Sequence, residues 1–115
     1  MNANELRIGN WLIRLDGSVF QTNASDINII DRMPIHLRPK PIPLTEEWLL
    51  KFGFGYRDSI SYSGWYSPIH AGRSIRIYKD GVWGYKYAYS EVSLVYVHQL
   101  QNLYFALIGE ELEIK

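Results

Sequence analysis

Hydrophobic and polar positions alternate with period two near the start of the chain and with a helical period in its last third. Residues 9 to 22 read as a hairpin: Trp11, Ile13 and Leu15 alternate with Leu12 and Arg14, Asp16-Gly17 supplies a tight turn, and Val19 to Thr22 returns. A two-residue Asp16-Gly17 loop sets Ile13 opposite Phe20. A third short strand is expected at Ile27 to Ile30. Residues 33 to 43 hold four of the five prolines and predict an extended surface crossing, because proline biases the residue before it away from helix.

The segment 45 to 52 carries the clearest helix signals. Thr45 is an N-cap, Glu46 and Glu47 oppose the positive helix end, Leu44 and Leu49 have staple spacing, and Gly53 stands where a left-handed cap belongs. A second helix is predicted over 95 to 108, where Val97, Leu100, Leu103, Tyr104, Leu107 and Ile108 follow the 3.6-residue period and Gly109 closes it. Its polar face is His98, Gln99, Gln101 and Asn102. Trp48, Leu49, Phe52, Leu100, Leu103 and Leu107 are expected to be mostly buried. Between the helices, 54 to 89 is rich in Tyr, Trp, Ile, Ser and Gly, with turns near Ser63-Gly64 and Asp80-Gly81, and reads as strands. Strands and helices in separate blocks predict an α+β domain covering 1 to 115, a bent antiparallel or small barrel-like sheet of about five or six strands packed with two helices.

Three blocks, ELRIGN (Glu5 to Asn10), PIPLTEEWLLKFGF (Pro41 to Phe54) and YVHQLQNLYFALIGEEL (Tyr96 to Leu112), resemble a group of small uncharacterised proteins encoded by gut anaerobic bacteria and their phages and mobile elements. Members of the group tend to carry Thr where this chain has Ile108, a change confined to one helix-end residue. The resemblance implies a phage or mobile-element setting and brings no activity, cofactor or catalytic residue with it.

Charge and composition narrow the function classes. Twelve basic and 12 acidic side chains cancel, but residues 72 to 89 carry +3 and residues 90 to 115 carry −3. The basic stretch, Arg73, Arg76, Lys79 and Lys86 against Asp80, coincides with the densest aromatic run, although a nucleic-acid binder usually shows a larger basic excess. No cysteine is present among the 115 residues, which removes disulfides, thiolate nucleophiles and Cys-ligated zinc and suits a reducing compartment. With no apolar run near the roughly 18 residues needed to span a bilayer and no signal-like start, the expectation is a cytoplasmic protein without a membrane partner.

Candidate chemistry is sparse. His36, His70 and His98 fall in three elements without metal-ligand spacing, so neither a metal nor a cofactor is expected. Gly53-Phe54-Gly55 follows a helix where a dinucleotide fingerprint precedes one, Ser61 to Trp65 is not a nucleophile elbow, and the C-terminal glutamates read as solvated. No catalytic residue is assigned.

The aromatic hairpin Ser74 to Tyr89 remains. A two-residue Asp80-Gly81 loop sets Tyr78 opposite Trp83 and Arg76 opposite Tyr85, a stacking platform with a cation. A three-residue Lys79-Asp80-Gly81 loop instead gathers Ile75, Ile77, Trp83, Tyr85 and Tyr87 on a core face, and its cleaner alternation favours it. Candidate ligand-binding residues are therefore Trp65, Tyr66, Arg73, Arg76, Tyr78, Trp83 and Tyr85. The leading functional expectation is a non-enzymatic accessory protein that binds a protein partner. The alternatives are a module that sequesters a nucleotide or other small ligand, with single-stranded nucleic acid as a lesser option, and a small enzyme whose pocket would have to unite a carboxylate with a histidine. No oligomeric state follows from the residues.

Overall fold

The computed structural model describes residues 3–58, 63–87 and 90–115. It is an α+β fold with two antiparallel sheets, neither of them closed. The first has three strands in the order β2-β1-β3, with β1 at Trp11–Ile13, β2 at Val19–Gln21 and β3 at Lys40–Pro41. The second runs β4-β5-β6-β7-β8, with β4 at Gly55–Arg57, β5 at Gly64–Tyr66, β6 at Arg76–Asp80, β7 at Val82–Tyr87 and β8 at Ser90–Ser93. The expected single sheet is thus divided in two, because the proline segment does not simply cross the surface. It makes a 3-10 turn at Ile35–Leu37 and then pairs with β1.

Among the described residues there are three α-helices. α2, Glu46–Lys51, has its Thr45 hydroxyl accepting from the Trp48 N–H, and Gly53 takes a left-handed φ of 85°. There Gly53 N–H and Phe54 N–H return to the carbonyls of Leu50 and Leu49, so the last turn's acceptors are satisfied. α3, Val97–Ile108, ends at Gly109 in the same left-handed conformation. The expected strand at Ile27 to Ile30 lies instead within α1, Ala24–Arg32. Asn23 Oδ1 accepts from Asp26 N–H while Asp26 Oδ2 accepts from Asn23 N–H, and this reciprocal cap outweighs the strand preference of three isoleucines.

Two hairpin registers differ from expectation. Leu12 faces Phe20 and Ile13 faces Val19, because Arg14 N–H bonds Ser18 O and leaves a three-residue loop with Gly17 at φ 91°. In the second, Lys79 faces Trp83 and Asp80 faces Val82, with Gly81 between them at φ 77°. This is neither anticipated register. Its parity nevertheless matches the core alternative, so Ile75, Ile77 and Trp83 are buried on one face and the platform alternative is excluded.

The main core lies between the five-stranded sheet and α2 and α3, and includes Trp48, Leu49, Phe52, Ile77, Trp83, Leu94 and Leu100, with Leu103 and Leu107 partly buried at its rim. A second, smaller cluster joins Ala3, Leu6, Leu12 and Ile30. β1 stands between them: Leu12 points into the small cluster, and Trp11 and Ile13 pack against the large one, as period two requires. Residues 42–44 pair with 95–97 through Val97 N–H to Ile42 O and Leu44 N–H to Val95 O, which fixes the starts of α2 and α3 side by side.

Candidate functional site

The aromatic residues of the second sheet do assemble, though not as a platform. Tyr56 and Trp65 are register partners with ring centroids 5.6 Å apart, and Trp65 meets Trp83 edge-on at 6.3 Å. With Glu46, Ser63, Gly64, Tyr78 and Lys79 they line a depression of about 520 Å3. Gly64 is required there, since a Cβ at φ 155° would lie 2.9 Å from the Ile77 carbonyl. The cation is Lys79, whose Nζ lies 5.3 Å from the Trp83 ring centroid, and not an arginine.

The sequence candidates are therefore distributed. Trp65, Tyr78 and Trp83 share the depression, with Trp83 only 5% exposed. Tyr66 lies in a separate hollow of about 350 Å3, on the opposite face of β5 from Trp65, with the Arg57 guanidinium 4.9 Å from its ring. Tyr85 packs against the main core. Arg73 is exposed in the tight turn it forms with His70, and Arg76 pairs with Tyr66 on β5; neither lines the aromatic depression.

A second site lies in the polar face of α3. His98 and Gln101 are each 1% exposed. Gln101 Oε1 accepts from Trp11 N–H and its Nε2 donates to Gly9 O, both at 2.9 Å. Asn102 Oδ1 accepts from Asn10 Nδ2, and its Nδ2 donates to Glu5 O. Arg7 completes the junction, stacking at 3.9 Å over Phe105, donating to Asn102 and pairing with Glu111. The N-terminal segment thus lies along α3 through a polar seam. A polar residue buried with its bonds made costs little, whereas the same residue unpaired would cost a great deal.

Beside this seam, Glu5, His98, Gln99, Asn102 and Leu103 face Val92, Ser93 and Leu94 across a groove of about 450 Å3. His98 Nε2 is 3.5 Å from Glu5 Oε1, and its Nδ1 is buried with no bonding partner among the described residues. Burial pushes the His98 pKa below its ordinary value, opposed by the hydrogen bond and charge of Glu5, so the ring is held neutral. Its ring stacks on Tyr96 at 5.9 Å.

The groove borders an open sheet edge. Leu94 N–H bonds Trp83 O, so in the antiparallel ladder Leu94 and Val92 turn their backbone groups toward β7, and Ser93 and Glu91 turn theirs outward. β8 is the last strand of its sheet, and Val92, 43% exposed, points to the same face as the groove. On the other face Tyr78 Oη donates to Glu91 Oε1 at 2.7 Å across Gly84.

No family model, curated protein or solved structure matches this chain. Among the described residues, no helix is long and apolar enough to cross a membrane and no group of three or more potential ligands could hold a metal ion.

Proposed function

We propose that this chain is a non-enzymatic accessory protein of a phage or mobile element that acts in the host cytoplasm by binding a protein partner. The observation that carries the reading is the pairing of an open edge strand, β8, with an adjacent groove walled by α3. An extended segment added to such an edge gains main-chain hydrogen bonds from the strand and side-chain pockets from the groove. The setting rests on the resemblance of the three blocks, two of which, Glu5 to Asn10 and Tyr96 to Leu112, meet in the seam beside the groove.

Selection of a random peptide library on the immobilised protein, followed by amide chemical-shift mapping of the enriched peptides, tests it. Shifts at Glu91, Ser93, Gln99 and Leu103 are expected. Enriched peptides that move only residues lining the aromatic depression, or no enrichment, would contradict it.

A second reading is favoured by the aromatic depression: Tyr56, Trp65 and Trp83 beside Lys79 could stack and charge-pair a small anionic ring compound such as a nucleotide. Tryptophan fluorescence titrated with mononucleotides and cyclic dinucleotides tests it, with quenching that Lys79→Ala abolishes as the expected result. The enzymatic reading draws on Glu5 and His98 lining one groove, but the imidazole is 1% exposed, and a general base must reach its substrate's proton.

A further inference from the structure

We propose that the segment β8 receives is an extended partner strand in which an apolar residue is followed or preceded directly by a basic one, an inference that rests on the protein-binding reading above. Strand addition would pair through the outward backbone groups of Glu91 and Ser93. Side chains of the incoming strand alternate between faces, so the residue beside Val92 enters the groove and its immediate neighbour comes beside Glu91 on the opposite face. Val92 and Leu103 supply the apolar surface that the first residue would cover.

Charge selects the second. The Glu91 carboxylate is exposed, and no ion pair among the described residues includes it, although Lys86 of β7 is its register partner. Its hydrogen bond from Tyr78 Oη draws the carboxylate over Gly84 of β7, on the face where the incoming residue would lie, without neutralising it. A basic side chain on the added strand would then extend the row Lys86, Glu91 to alternating sign, whereas an acidic one would meet a like charge directly opposite. On the groove side the charged lining residue is Glu5, and no lysine or arginine lines the groove. Residues 90 to 115, which contribute β8 and α3, carry a net charge of −3, so the longer-range field points the same way.

The test uses the full chain and three capped hexapeptides in which valine alternates with lysine, with glutamate, or with lysine carrying N-methyl groups on alternate amides. Binding is read by amide chemical shifts and by the titration midpoint. The lysine peptide should shift Glu91, Ser93 and Leu103 and bind roughly fivefold tighter than the glutamate peptide. N-methylation on the edge facing β8 should weaken it by at least about tenfold. Glu91→Lys, an exposed substitution, should invert the lysine-over-glutamate preference while the shift pattern stays on β8. Equal affinity of the lysine and glutamate peptides, both shifting β8, would overturn the basic partner and leave strand addition standing. Absence of shifts on β8 and α3 with every peptide at millimolar concentration would overturn both. A dimer of the free chain that Ser93→Pro dissolves, proline being tolerated where an edge N–H faces outward, would assign the edge to a second copy and overturn the proposal.

Discussion

Among the described residues, the five-stranded sheet with α2 and α3 encloses fifteen buried apolar residues, whereas the three-stranded sheet and α1 share a cluster of four, Ala3, Leu6, Leu12 and Ile30. The larger unit is held as most cores are, by apolar area removed from water. The smaller one has too little of it, and its N-terminal segment is attached instead through Gln101, Asn102, Asn10 and Arg7 on one side and through Trp11 and Ile13 on the other. Hydrogen bonds have direction and apolar contacts do not, so the seam sets where the N-terminal segment lies while the large core supplies most of the stability. The groove beside β8 draws its lining from both modes: Leu94 and Leu103 belong to the core, Glu5 and Asn102 to the seam.

The sharpest way to separate the two is to cut each. Leu100→Ala, at a fully buried position of the large core, should cost about 2 to 5 kcal/mol in chemical unfolding. An unchanged midpoint would contradict the core assignment. Gln101→Ala breaks the seam and leaves Trp11 N–H without its partner, at about 1 to 3 kcal/mol where water cannot reach it, while Gly9 O keeps its bond from Gln21 Nε2. Its distinguishing sign is position: amide exchange should accelerate in residues 3 to 13 more than in α2, and uniform acceleration would show that the seam is not a separate unit.

Acid tests the same seam more gently. The His98 pKa lies below that of the unfolded chain, so above about pH 6.5 the ring is neutral in both states and its contribution is fully present. As pH falls below about 6.5 toward the lowered folded-state pKa, the unfolded chain takes up the proton first and stability declines. His98→Leu should flatten that acid limb relative to the wild type, and parallel limbs would show the imidazole to be uninvolved. The smallest effect belongs to the surface: Glu91→Lys, which loses the Tyr78 bond and sets a like charge opposite Lys86, should cost no more than about 1 kcal/mol, so that any loss of peptide binding is not a loss of fold.

How far the residues alone reveal this arrangement depends on the distance over which each signal acts. α2 and α3 were legible because their caps and periods are local: Thr45, Gly53 and Gly109 each act within one turn. α1 was equally local, yet the Ile27, Ile29 and Ile30 cluster masked the Asn23 and Asp26 cap, with Ile27 and Ile30 turned inward three apart and Ile29 55% exposed. The first hairpin register differs by one residue and the favoured register of the second by two, because loop length sets register and a glycine turn accepts more than one length. The groove was out of reach. Gln101 and Gly9 are 92 residues apart, and a polar helix face carries no local mark to show whether it meets water or another segment. Trp65 and Trp83 converge, whereas a turn keeps Arg73 outside and strand parity sends Arg76 and the Tyr78 ring to the other face.

The central claim is that β8 is an edge ready to accept a strand, and amide hydrogen exchange in that strand tests it most directly. In the free protein, Val92 and Leu94 amides should be protected by their bonds to β7, while Glu91 and Ser93 amides should exchange at nearly unprotected rates. Saturation with the lysine-containing peptide should slow Glu91 and Ser93 by about tenfold or more and leave the residues around Trp65 unchanged. Glu91 and Ser93 already protected in the free protein, or indifferent to every peptide, would contradict it.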